Sequence, residues 1–285
     1  MRCITPFFRL DEETRERTPT PCGKCGACLG NRRIEWSFRL AEELRHSRSA
    51  FFLTLTYREE MLPVSKKGYP TLVKKDFQDF MKRFRKSDHD NTGESRIRHY
   101  SVGEYGSKTN RPHYHSIIYN ASKETIENVQ EDWRKKGIDI GMVHVGSVSG
   151  ATIHYVTKYH VNYRNDYDPW QEKRQKEFAL MSRKPGIGYQ YIETIGRWHQ
   201  NNNAMYVINN GFKQRMPRFY KDKVFSDQEK AEILLETIYE AEIAENKEKL
   251  RLEKLGFKDS RYEMLHRKAY AAKVIKKQAK GRDKL

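Results

Sequence analysis

The sequence predicts an α+β fold: a central antiparallel sheet flanked by helices, with a Cys-rich segment before it and a charged helical region after it. Two observations predict this class. From about residue 31 to residue 165, runs of β-branched and aromatic residues alternate with runs of helical periodicity. Two of the strand-like runs, Arg96 to Glu104 and His113 to Tyr119, are joined by the short turn Tyr105-Gly106-Ser107-Lys108-Thr109-Asn110, and a connection this short joins antiparallel neighbours.

The elements follow in order. Residues 1–30 are turn-rich and hold all four cysteines. From Asn31 to about Ser47, Ile34, Trp36, Phe38, Leu40, Ala41 and Leu44 among interleaved Arg and Glu spell a helix. Phe51 to Tyr57 is a strand by composition. Leu72 to Arg85 carries Leu72, Val73, Phe77, Phe80, Met81 and Phe84 at helical spacing. After the strand pair, Ser122 can cap a helix running to about Lys136, with Glu124 complementing the dipole of its first turn. Thr125 stands where a full capping box needs Glu or Gln. Gly141 to Val148 is a further strand, and Gly150 to about Asn162 a further helix. Beyond Asp166 the regularity falls away, and from about Ser226 to Lys280 the chain is charged and helical, ending in a basic tail.

Composition narrows the function. Lys and Arg outnumber Asp and Glu by 55 to 38, a net charge of +17, which favours a polyanionic partner, nucleic acid before anionic membrane. No apolar run approaches the ~18 residues of a membrane-spanning helix, and the first residues lack the apolar core of a secretory signal. A cytosolic protein is expected, with cysteines reduced or metal-bound.

Alternate side chains of a strand share a face, so His113 and His115 point together and can chelate one divalent metal. Glu104 ends the preceding strand, and an antiparallel hairpin can bring its carboxylate beside them. Two imidazoles and a carboxylate leave open positions for phosphate oxygens. On the 150–162 helix, Tyr155 and Tyr159 are four residues apart and share a face that Lys158 flanks. Ile153 and Val156 fall on another side, so the tyrosines are not simply the core stripe. Tyr163 and Tyr167 continue the spacing, and an aromatic stripe used for packing or base stacking is the competing reading. A tyrosine hydroxyl beside a metal and a lysine can attack a phosphodiester in line, giving a 5′-phosphotyrosine adduct and a free 3′-OH. Cys22, Cys25 and Cys28 form C-x₂-C-x₂-C, with Cys3 as a fourth thiolate. The set suits a structural Zn²⁺; an iron–sulfur cluster and plain reduced thiols are the alternatives. Arg32 and Arg33 follow, either as phosphate contacts or as a solvated helix turn.

The segments FFLTLTY (51–57), RPHYH (111–115) and YVTKY (155–159) resemble, in order and spacing, the three motifs of HUH endonucleases. PCGKCGACLGNRRIEW (21–36), VGEYGSKTNRPHYHSIIYN (102–120) and MSRKPGIGYQYI (181–192) resemble replication initiators of microviruses, particularly the gokushovirus branch, over residues 1–220. The resemblance implies an HUH/RRM-like central antiparallel sheet and a rolling-circle initiator that nicks and rejoins single-stranded phage origin DNA. It implies Mg²⁺ or Mn²⁺ at His113 and His115 and nucleophiles at Tyr155 and Tyr159. Tyr155 with Lys158 suffices for a one-tyrosine enzyme. Glu104 as third ligand is inferred from its position. The chain then divides into a Cys-rich arm (1–30), an endonuclease core (31–165), a family-specific extension (166–225) and a charged helical region (226–285). No G-x-x-x-x-G-K-[ST] loop is encoded, so a host helicase and DNA polymerase are the expected partners, in the cytoplasm of the bacterial host. An HUH relaxase or transposase of another mobile element, or a non-catalytic basic α+β nucleic-acid-binding module, are the alternative functions.

Overall fold

A computed structural model describes residues 3, 5–10, 12, 15, 17–162, 173–209, 211–257, 259, 263, 264 and 270. In chain order its elements are β1 (Phe7–Leu10), β2 (Arg17–Thr20), α1 (Gly26–Arg45), β3 (Ala50–Tyr57), α2 (Lys74–Thr92), β4 (Arg98–Tyr105), β5 (Pro112–Tyr119), α3 (Lys123–Glu127), β6 (Arg134–Lys135), β7 (Ile138–Asp139) and β8 (Gly141–Ser147). They continue with α4 (Gly150–Asn162), β9 (Phe178–Met181), α5 (Gln190–Asn201), β10 (Tyr206–Asn209), β11 (Phe212–Arg215), α6 (Arg218–Val224) and α7 (Asp227–Lys254). Two compact units form, one of Ser37–Gln190 and one of Met1–Trp36 with Tyr191–Leu285.

The Ser37–Gln190 unit is built on the expected α+β plan. Its five-stranded sheet runs β8-β3-β5-β4-β9 with every neighbour antiparallel. Strand alternation sorts the sheet into two faces. Leu53, Leu55 and Tyr57 on β3 and Tyr114 and Ile118 on β5 pack against Phe77, Phe80 and Phe84 of α2, with Ile126, Val129 and Trp133 completing the core. Tyr57 and Tyr114 hydroxyls bond each other at 2.9 Å, and Tyr57 donates to the buried Asp76 carboxylate at 3.1 Å, which ties the start of α2 to the sheet. Burial pushes the Tyr57 phenol well up and that of Tyr114 to about 12, so both stay neutral. The opposite face carries Phe52, Thr54, His113, His115 and Glu104.

The structure corrects four sequence expectations. The first helix begins at Gly26 rather than Asn31, because buried Ala27 and Leu29 extend its apolar stripe upstream. The second continues to Thr92 rather than Arg85; its buried Asp88 accepts from the Ser122 N–H at 3.0 Å, and Gly93 closes it at φ 80°. The helix expected from Ser122 to Lys136 stops at Glu127 and is followed by a 3-10 turn, Val129–Asp132. Lys136 (φ 51°) and Gly137 (φ 81°) then form the two-residue left-handed turn of a hairpin, β6–β7. Ser122 does cap α3, accepting from the Thr125 N–H at 3.1 Å. Finally, the irregular stretch after Asp166 contains β9, α5, β10, β11 and α6; the four-residue apolar run Phe178-Ala179-Leu180-Met181 becomes the sheet's edge strand beside β4. Tyr163 and Tyr167 lie outside the described residues.

In the other unit, β1 and β2 pair as a hairpin, as do β10 and β11. His199 of α5 bonds the Tyr191 hydroxyl through Nε2 at 2.8 Å, and Tyr191 stacks on Tyr220 of α6. α7 opens with a full capping box between Ser226 and Glu229 and buries only Ile233 and Leu252 along its 28 residues. No helix among the described residues is long and apolar enough to cross a membrane.

Candidate metal centre and nucleophile

Register alone assembles the site. Glu104 on β4 lies directly opposite His113 on β5, and His115, two residues on, falls on the same face. Glu104 Oε1 lies 2.7 Å from His113 Nε2 and 3.1 Å from His115 Nε2. One ligand atom from each residue can be chosen with all three within 4.8 Å of one another. The far ring nitrogens are held: His113 Nδ1 by the Arg111 carbonyl at 3.1 Å, and His115 Nδ1 by Thr54 Oγ1 at 2.9 Å. Each Nε2 therefore faces Glu104, the arrangement in which an outer partner orients a histidine ligand. Phe52 stacks on the His115 ring, 5.4 Å between centroids.

Charge is arranged to match. Burial pushes the Glu104 carboxyl up, but the two imidazoles more than offset this and hold it at about 2. Burial pulls His113 down, and contact with Glu104 outweighs it, so His113 is raised; for His115 burial prevails and the group is lowered. The apo cluster thus keeps an ionised carboxylate with its proton on His113. Glu104 Oε2 is buried and has no hydrogen-bond partner among the described residues. An orphaned carboxylate oxygen beside two oriented imidazoles fits a divalent cation with an oxygen- and nitrogen-tolerant shell, as Mg²⁺ and Mn²⁺ have.

α4 crosses the same face with its buried Ile153 and Val156 turned to the core, as the sequence expects. Its Tyr155 hydroxyl donates to Glu104 Oε1 at 2.9 Å and lies 3.3 Å from His115 Nε2. Lys158 Nζ stands 4.1 Å above the centre of the Tyr155 ring. Four of the residues singled out from sequence for this site, Glu104, His113, His115 and Tyr155, meet at one carboxylate oxygen, and Lys158 adjoins them. Tyr159 belongs to α4, but its side chain lies outside the described residues. Sequence reasoning missed Thr54, Phe52 and the Arg111 carbonyl; the alternation in FFLTLTY was the available signal, since it puts Phe52 and Thr54 on one face.

The other unit gathers the cysteines. Sγ atoms of Cys3, Cys22, Cys25 and Cys28 all lie within 4.8 Å of one another, Cys3 and Cys25 at 3.7 Å. Four thiolates about 2.3 Å from a tetrahedral zinc stand about 3.8 Å apart. Backbone N–H groups of Lys24 and Cys25 donate to Cys22 Sγ at 3.4 and 3.3 Å, and that of Cys22 donates to Cys3 Sγ at 3.3 Å. Hydrogen bonds from the Thr5 hydroxyl and from the Lys24 and Cys25 amides hold Cys22 at about 5, while burial pushes Cys28 to about 12. Arg32 is exposed on α1 and Arg33 half-buried.

Comparison with known proteins follows the same segments. Over 250 residues the chain is 25% identical to the replication-associated protein ORF2 of Spiroplasma virus 4, covering 80% of this chain and 78% of that protein. It is 30% identical over 225 residues to the replication-associated protein VP4 of Bdellovibrio phage phiMH2K, covering 71% and 66%. It is 26% identical over 223 residues to the replication-associated protein ORF4 of Chlamydia phage 1, covering 72% and 53%. Among solved structures, the hypothetical protein ORF119 of Sulfolobus islandicus rod-shaped virus 1 aligns with 46% of this chain and 95% of its own at 17% identity, with a TM-score of 0.28. Residues 50–163, which hold β3, the Glu104–His113–His115 cluster and Tyr155, match the family of the replication-associated protein ORF2, and with these relatives the chain belongs to that family.

Proposed function

We propose that this chain initiates phage DNA replication by nicking one strand at the origin with Tyr155 and later rejoining it. The observation that carries the reading is the Tyr155 hydroxyl, 2.9 Å from Glu104 Oε1 and 3.3 Å from His115 Nε2, which sets a nucleophile against the metal-capable cluster. Glu104, His113 and His115 would hold Mg²⁺ or Mn²⁺, which when bound supplies polarisation of the scissile phosphate. Thr54 and the Arg111 carbonyl keep the two imidazoles aimed. As the Tyr155 Oη–P bond forms, the P–O3′ bond breaks; the phenol gives up one proton and the departing 3′ oxygen takes one up. The products are a 5′-phosphotyrosine and a primer 3′-OH. Lys158, above the ring, balances the negative charge that gathers on the phenol oxygen and the phosphate. Tyr159, four residues on, is the candidate second nucleophile for the rejoining transfer. A net charge of +17 supplies non-specific attraction to the strand.

The same reading gives the four cysteines a structural Zn²⁺, and it assigns unwinding and synthesis to a host helicase and DNA polymerase in the cytoplasm of the bacterial host. The test is a covalent-adduct assay on single-stranded oligonucleotides spanning the cognate phage origin, with Mn²⁺. A protein–DNA adduct should form with the unaltered chain, survive denaturation, and vanish in Tyr155→Phe and His113→Ala. An adduct that persists in Tyr155→Phe/Tyr159→Phe would remove the tyrosines from the chemistry. DNA binding with no adduct under any condition would leave a nucleic-acid-binding module instead.

A further inference from the structure

The β10–β11 hairpin, which the nuclease chemistry does not use, carries an exposed and charged face. Its register pairs Tyr206 with Arg215 and Ile208 with Lys213, so these four side chains share one side of the ribbon. The opposite side turns Val207, 1% exposed, into the interior of its unit. On the outward side Lys213 and Arg215 are exposed and Ile208 is 51% exposed, while Lys213 Nζ lies 4.3 Å over the Tyr206 ring. Arg215 touches Glu35 only loosely, at 3.8 Å and half-exposed, which leaves its guanidinium able to reach a second anion. Between Lys213 and Lys223 stand five cations (Lys213, Arg215, Arg218, Lys221 and Lys223) against the single carboxylate of Asp222.

We infer that this ribbon is a docking surface for double-stranded DNA, separate from the nicking residues. Charge complementarity selects a polyanion, and shape selects the duplex. Two antiparallel strands about 4.8 Å apart make a ribbon narrow enough for the ~12 Å major groove, which admits other β-ribbons. Cations on one strand and apolar groups on the other suit phosphate and base-edge contact respectively. A single strand would instead need successive aromatic platforms, and among the described residues the sole ring on this face, Tyr206, lies beneath Lys213. The inference goes beyond the proposed nicking reaction and needs only that the partner is DNA. It would give a nickase that acts on an unpaired strand a grip on a neighbouring paired stem.

The test uses the full chain, a fluorescent hairpin duplex and the corresponding single strand, titrated in EDTA so that no nicking occurs. Lys213→Ala/Arg215→Ala should weaken duplex binding by about tenfold, and should lower the log–log salt slope by about 1.8, as expected for two lost phosphate contacts. Affinity for the single strand and adduct formation on a short single-stranded oligonucleotide should stay within about twofold. Because Arg215 also meets Glu35, Lys213→Glu alone serves as the variant that alters only an exposed side chain. Unchanged duplex affinity in both variants overturns the inference, and so does equal loss on duplex and single strand. Duplex binding that depends on Lys213 in a chain that never forms an adduct would support the ribbon while sinking the nicking reading.

Discussion

At the scale of single residues, the cluster around Glu104 trades a proton for a cation. In the apo protein the pair His113–Glu104 is stabilising only while His113 is protonated and Glu104 ionised. The sign follows for each member. His113 is raised, so its contribution is full below the ordinary imidazole value of about 6.5 and is lost as pH climbs through the raised value; Glu104 is depressed, so its contribution is present above about 4.5 and is lost as pH falls toward about 2. A divalent ion must displace the His113 proton, so it competes poorly in mildly acidic solution and well above the raised value. The rise in melting temperature on adding Mn²⁺ should therefore be larger at about pH 8 than at about pH 6. It should be abolished in His113→Ala. An increment that is the same at both values, or larger in acid, would remove His113 from the ligand set. The three ligand candidates were legible in the sequence because strand period and hairpin register are local. Thr54 was not, since its partner His115 is 61 residues away and only the β3–β5 pairing brings them together.

At the scale of elements, pattern reading succeeded where one periodicity governs a whole segment. The strands around Phe51–Tyr57 and His113–Tyr119 and the helix Gly150–Asn162 fall where alternation and helical spacing put them. It failed where a local signal competes. Glu124 and the residues after it have helix-forming character, yet the Lys136–Gly137 turn and the burial of Trp133, whose indole N–H donates to the Thr56 carbonyl at 2.7 Å, fold the segment back as a small hairpin. The short strand at Phe178–Met181 was invisible because its pairing with β4 is long-range. The same Thr56 carbonyl sets a strict demand on Gly141. A Cβ there would stand 1.7 Å from Thr56 O, backbone against backbone, so β8 cannot keep its register beside β3 with any larger residue. Gly141→Ala should cost about 2–3 kcal/mol in urea unfolding. Its damage should centre on the β3–β8 edge. A loss under about 0.5 kcal/mol would mean that the β8 edge yields without cost.

At the scale of the whole molecule, the two compact units carry two different metal-capable sets, one of imidazole and carboxylate, one of thiols. Ligand chemistry separates their ions: soft thiolates select zinc, and the harder oxygen-containing set selects Mg²⁺ or Mn²⁺. The C-x₂-C-x₂-C spacing was plain in the sequence, but the fourth ligand was only available by elimination. The fold supplies the reason for Cys3: pairing Phe7 with Thr20 doubles the chain back and returns Cys3 to the start of α1, where Cys22, Cys25 and Cys28 cluster. A zinc ion there would close the β1–β2 hairpin onto the helix and offset the entropy that a hairpin of four-residue strands with exposed Phe7 and Phe8 cannot recover by burial. Purified chain should contain about one zinc per molecule. Cys22→Ser/Cys25→Ser should abolish it and open the region before Trp36 to proteolysis. The Mn²⁺-dependent thermal shift of the Ser37–Gln190 unit, carried by other ligands, should survive in that variant. Chain purified without chelator that holds neither zinc nor iron, or that resists protease equally with and without the thiols, would reduce the four cysteines to a cluster of free thiols.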